Sequence, residues 1–343
     1  DGGDWNSLWH EPKLKLGATL AYDATAGRID ITHFEAAGDT ASLAARGKIS
    51  ELSTSCSTQL DGQVAYDLQK LSSRFRKQIG EDFQIAGRDT RPFSFDGPLF
   101  ATKTSAIPNG LQPVSTSTGA ASNTSIESAL IQMIAQASLG WSSVAMQGIT
   151  IGPGELDARL ANGKLVVAPM DLNVSEGTLH LAPTVSLDQT PMVVTMPPGL
   201  VAEQIRISPQ MCSSWLKYLA PMIAGATAAE GKFSVGLTQA VIPVDSPTAG
   251  NIEGVLDIHN AQIGPGPLSQ QLLALATQIK AVADGNLLGA AAPTQRWLQL
   301  PPQRIGFRMA ENRVYHEGLQ ITIDDVVIRT SGCSVLPCRA HCD

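Results

Sequence analysis

The 343 residues predict a mainly β protein with helices, an α+β chain whose strands pair antiparallel. Short stretches alternate strictly between apolar and polar residues, the period of a strand with one face buried. Turn residues punctuate them closely, with 31 Gly and 21 Pro in the chain. A few longer stretches instead space their apolar residues as helices do. Parallel strands covered on both sides read as continuous apolar runs, so alternation favours antiparallel pairing.

From Lys13 to Tyr66 the chain reads as four strands joined by turns: KLKLGATLAY, GRIDITHF, TASLAARGKI and STQLDGQVAY. Leu14, Leu16, Ala18, Leu20 and Tyr22 share one parity, with Lys13, Lys15 and Thr19 on the other. A helix is expected over 67–79, with Asp67 as its N-cap and Leu68, Leu71, Phe75 and Ile79 as its apolar stripe. Lys70, Arg74 and Lys77 give it a basic outer face, which suits solvent or an anionic membrane surface. Two short strands, FQIAG and FSFDGPLF, close this N-terminal unit of residues 1–100.

Residues 101–124, rich in Ser, Thr, Pro, Gly and Ala, carry too little apolar content for a core and read as a flexible linker. A second unit is expected over 125–332, opening with a helix in SIESALIQMIAQASLG. Strands follow in LDARL, KLVVAP, LNVSEGTLHLAP and TVSLD, with Asn162-Gly163 as a hairpin signal. Further helices are expected near 211–225 and over 267–284, the latter on Leu268, Leu272, Leu275, Ile279 and Val282. Between them lie strands in KFSVGLTQAVIPV and GVLDIHNAQIG, and after them RIGFRMA, VYHEG, LQITIDD and VVIRTSG. Residues 333–343 read as an irregular, cysteine-containing tail.

The balance of 24 basic against 31 acidic residues is spread without long blocks, and aromatics make up 5%. A nucleic-acid protein needs a basic stripe with aromatic platforms, so no nucleic-acid partner is expected. The cysteines show no paired metal spacing, and the six histidines form no HxH or HExxH, so no metal site is expected. Gly-x-Ser-x-Gly is absent, and His33, His259 and His316 read as solvent-facing strand residues, so no catalytic residue and no cofactor are expected. The tetrapeptide IGPG occurs at 151–154 and again at 263–266. Each Pro removes a donor that a phosphate cradle would need, and no Gly-Lys-Ser/Thr follows, so IGPG reads as a turn.

The segment QGITIGPGELDARLANGKLVVAPMDLNVSEGTLHLAPTVSL, with its Asn-Gly hairpin, proline-bounded strand and Gly-containing turn, resembles the repeating unit of the AsmA-like envelope proteins. FRMAENRVYHEGLQITIDDVVIRTSG is similar to the closing portion of that family, and IGPGPLSQQLLALA extends the likeness over about 125–332. The resemblance implies elongated, curved antiparallel sheets forming an apolar groove, with about four amphipathic helices packed on or capping them. It implies a non-enzymatic envelope protein for transport of phospholipid between membranes or for assembly of the outer envelope, which holds acyl chains on that groove. The setting would be a bacterial periplasm, with contact to the membrane surface or to envelope proteins. The family's N-terminal membrane helix is missing here, and after Gly332 its further strand gives way to CSVLPCRAHCD, which implies a fragment. The apolar wall is expected at Leu156, Leu160, Val167, Leu172, Val174, Leu179, Leu181, Leu319, Ile321 and Ile323. The alternative is a closed structural or interaction domain whose helices plug that wall, since an apolar strand face is usually core.

Overall fold

A computed structural model describes residues 13–52, 56–79, 83–98, 130–219, 226–264, 297–323 and 326–336, with Ile223 and four positions between 270 and 278. Over these residues the chain is mainly antiparallel β, built as one sheet of 22 strands. The expected linker over 101–124 and nearly all of the helix expected over 267–284 lie outside the described residues.

Strands β1 (Lys15–Asp23), β2 (Arg28–Ala37), β3 (Ala41–Ser50) and β4 (Ser57–Asp67) form an antiparallel meander, as the alternation predicts. Asp67 ends β4 and caps helix α1 (Leu68–Ile79), accepting the Lys70 backbone N–H at 3.1 Å while Arg88 binds its other oxygen at 2.7 Å. After β5 (Gln84–Ala86), β6 (Arg88–Pro98) pairs with β4 from Arg88 to Pro98.

Then β7 (Ile134–Trp141) pairs with β6 on one side and with β10 (Gly154–Ala161) on the other. The sheet therefore runs on across the segment between residues 98 and 134. Of the helix expected from Ile126, Leu130, Ile134 and Ala137, only 130–132 are described as helical. From Ile134 onward, Ala135, Ala137, Leu139 and Trp141 also fit a period of two, and two neighbouring strands select that reading over the helical one.

Two short strands, β8 (Ser143–Met146) and β9 (Ile149–Ile151), precede β10, and the first IGPG makes the corner between β9 and β10. Gly154 is needed there, because a Cβ would lie 2.7 Å from Leu172 and 2.6 Å from the Trp141 ring. Asn162 and Gly163, at φ 52° and 70°, turn β10 into β11 (Lys164–Val167) as the hairpin signal predicts. The sheet continues through β12 (Met170–Val174), β13 (Gly177–Leu181), β14 (Thr184–Ser186), β15 (Val193–Thr195) and β16 (Gly199–Arg206).

Helix α2 (209–219) crosses from β16 to the long strands β17 (Ala229–Pro243) and β18 (Asn251–Ile263). It begins at the Pro209 that follows its cap Ser208, and a five-residue π turn at Cys212–Leu216 interrupts it. The last strands are β19 (Leu298–Leu300), β20 (Gln303–Ala310), β21 (Arg313–Ile323) and β22 (Val326–Val335). VYHEG and LQITIDD, expected as separate strands, are one strand broken only by a bulge between His316 and Leu319. β22 runs past Gly332 through Cys333 to Val335, into the segment expected to be irregular. No helix among the described residues is long and apolar enough to cross a membrane.

Candidate functional site: one apolar face, half open and half sealed

In an antiparallel pair, residues directly opposite share a face, so the register of each pair traces which side chains line up across the sheet. One line starts at Ala18 and runs through Phe34, Ala45, Gly62, Phe93 and Ala137 to Ala158 and Val167. A second starts at Leu20 and runs through Ile31, Gly47, Leu60, Phe95 and Ala135 to Leu160 and Leu165. Both cross β1 to β4, β6, β7, β10 and β11 without a polar side chain. Eight strands at about 4.8 Å spacing make each line roughly 34 Å long.

Over these strands the face stands open. Leu16, Leu20 and Tyr22 of β1 are exposed to 67%, 56% and 65%, and Phe34, Leu60, Phe93, Phe95, Leu139, Leu156 and Leu160 are half-buried. At its margin Arg91, opposite Val64, is held by Asp89 at 2.6 Å and Glu155 at 2.9 Å. The Thr90 backbone N–H, with Arg91 beside it, holds the Asp89 carboxyl below the usual carboxylate range.

Beyond β11 the same face turns into a core. Trp141 and Leu172 meet over Gly154, and from there the cluster of Leu172, Val174, Ile205, Phe233, Leu256, Ile305, Leu319 and Ile321 is closed under α2. Met211 and Cys212 of α2 are fully buried, and the Trp215 ring meets Phe233 edge to face at 5.7 Å. Burial pushes the Cys212 thiol up to about 11. The cavity left between α2 and the sheet is about 20 Å³ and lined by Ile207, Leu216, Phe233, Leu256 and neighbouring aliphatics. It is apolar and about one probe sphere in size, which makes it a dry packing gap with no room for an acyl chain.

The ten residues expected to wall a groove therefore divide. Leu160 and the buried Val167 lie on the open lines, and Leu156, opposite Leu139, stands beside them on the same face. Leu172, Val174, Leu319 and Ile321 are interior to the sealed cluster, and Leu179 and Leu181 pack against it. Ile323 ends β21, and its side chain lies outside the described residues. Sequence reasoning did not single out Leu60, Phe93 and Phe95 for the wall. Their alternation was the signal, but nothing in the sequence tied the first meander to β7 and β10.

The opposite face is polar and holds a cavity of about 1130 Å³. Its floor is the backbone under Ala45, Gly62, Phe93, Ala137 and Ala158. Arg46, Asp61, Gln136 and Arg159 flank one side, and Gln63, Ser138 and Asp157 the other. None of the ten expected wall residues lines it. His180 is on this polar side, as its alternation predicts, with Nδ1 2.6 Å from Asp171 and Nε2 3.6 Å from Glu203.

The other histidines bear on the chemistry. His33 is exposed near Glu35, and His259 is exposed with Nε2 2.7 Å from the Ser234 hydroxyl. A serine and histidine this close are the beginning of a nucleophile pair, but an orienting carboxylate is needed behind the imidazole. The nearby Asp257 is instead gripped by two nitrogens of Arg304, at 2.8 and 3.1 Å. Ser234 also holds the backbone: its oxygen accepts the N–H of Gln204, which a left-handed φ of 55° and a register shift remove from the ladder. His316, expected to face solvent, is buried at 5% exposure. The bulge at Glu317 and Gly318 reverses the alternation, so His316 shares the inner side with Leu319 and Ile321.

Compared with protein-family models, with curated proteins and with solved structures, the chain has no match.

Proposed function

We propose that this is a non-enzymatic, lipid-handling protein of a cell envelope that holds phospholipid acyl chains along the open part of its apolar face. The single observation that carries the reading is the pair of unbroken apolar lines across β1–β4, β6, β7, β10 and β11, half-buried or exposed along most of their length. Each methylene withdrawn from water is worth about 0.8 kcal/mol, so a tail of roughly sixteen carbons gains on the order of 12 kcal/mol from a surface it can lie on. Such a surface needs no shaped pocket and no head-group chemistry. The resemblance to AsmA-like envelope proteins supports the same reading and suggests a bacterial periplasm as its setting. In this reading the sealed half under α2 is the scaffold, and the groove is the open half, walled by Leu60, Phe93, Phe95, Leu156 and Leu160.

A second reading, a closed structural or interaction domain, draws on that sealed core. Lipid extraction and native mass spectrometry of the purified chain separate the two. The groove reading expects co-purified phospholipid, lost when Leu60 or Leu156 is changed to Arg while the thermal transition is kept. A lipid-free chain that also takes up no phospholipid from vesicles overturns it. Substitutions at Ile321 cannot make this test, because a fully buried side chain reports on packing first.

A further inference from the structure

β1 is an edge strand: its only partner among the described residues is β2, and all nine of its residues are exposed. An open edge presents a row of unpaired N–H and C=O groups, and proteins normally blunt it with proline, bulges or charges pointing inward. β1 has none of these. The register shift at Thr19/Leu20 puts the extra residue, Thr32, in β2 and leaves β1 regular. Its charges stand at its two ends, Lys15 at the start and Asp23 at the finish.

That placement is self-complementary. In an antiparallel pair of two β1 strands related by a twofold axis at Thr19, Lys15 of one copy faces Asp23 of the other, at both ends. Leu16 then faces Tyr22, Ala18 faces Leu20, and Thr19 faces itself. Every apolar residue meets an apolar one on the same side, so the apolar face of one copy runs on into that of its mate. Any centre between two residues would oppose the faces, and any centre other than Thr19 leaves part of β1 unpaired. Asp23 receives the Thr25 and Ala26 backbone N–H groups on one carboxylate oxygen, at 3.0 Å each, which leaves the other for Lys15. We propose that two copies of this chain associate through β1, antiparallel and centred on Thr19, into one continuous sheet with a closed, twofold interface. This does not rest on the lipid reading.

The test is site-specific disulfide trapping in the full chain, with Cys333, Cys338 and Cys342 replaced by Ser to lower the background. Thr19→Cys is expected to give a covalent dimer under mild oxidation, while Ala18→Cys and Ala21→Cys do not. Sedimentation of the chain without the added cysteine is expected to show a concentration-dependent monomer–dimer equilibrium. Lys15→Glu should weaken it roughly tenfold, since symmetry counts each lost ion pair twice. A monomer at all concentrations, equal trapping at Ala18→Cys, or a ladder of higher oligomers from head-to-tail joining would each overturn the proposal.

Discussion

His180 and His316 titrate in opposite surroundings. The hydrogen bond that the His180 Nδ1–H donates to the Asp171 carboxylate, with the Asp171 and Glu203 charges, raises the His180 pKa above its ordinary value. Its contribution to stability is therefore complete below the unfolded value of about 6.5 and disappears as pH rises through the folded value. His316 is pushed the other way by burial, and its Nδ1 has no partner among the described residues. Below pH ~6.5 the unfolded chain takes up a proton that the folded site resists, so this residue lowers stability on acidification. Thermal melts across pH should then show His180→Asn losing stability on the acid side and little above pH ~8, whereas His316→Leu should flatten the acid decline. That His180 faces away from the apolar side was legible from alternation alone, though its carboxylate partners were not. The burial of His316 was not legible, because the Gly318 bulge that turns it inward has no sequence signal stronger than one glycine.

At the scale of elements, α2 decides where the face is closed. Ser208 fixes its start twice, accepting the Met211 backbone N–H at 3.2 Å and donating to the Gly148 carbonyl at 3.2 Å. Ser208→Ala should cost about 1 kcal/mol in urea unfolding, the usual worth of an N-cap. Met211→Ala should cost about 2–5 kcal/mol, because a fully buried side chain leaves a cavity that its neighbours cannot fill. The four strands of the first meander and the Asn162-Gly163 hairpin were readable because local alternation and local turn chemistry agree with the tertiary result. β7 was not, since Ile134 and Ala137 satisfy both a helical and a strand period, and only pairing with β6 and β10 chooses between them. Leu319 and Ile321 alternate onto one side of their strand in the sequence, but their burial in the core could not be read there. That depends on α2 lying over them, a contact between segments far apart in the chain.

Across the whole molecule, packing is unevenly distributed along one sheet. The buried cluster lies between β12 and β21, while β1 has no buried residue at all. Amide hydrogen exchange should follow that gradient, fastest in β1 and slowest in β17, β18 and β20, where ladder bonds are backed by buried side chains. Mass spectrometry of peptides from a timed exchange would read it directly; uniform protection from β1 to β18 would contradict it. The gradient also gives the apolar face two unlike ends. At one, Leu16 and Tyr22 stand bare to solvent; at the other, Trp141 and Leu172 stand as a wall with α2 behind it. A hydrocarbon tail that slid inward from β1 would come to a stop there and would have to back out by its entry route. A through-passage needs two mouths. On the proposed lipid reading the chain, taken by itself, is a berth.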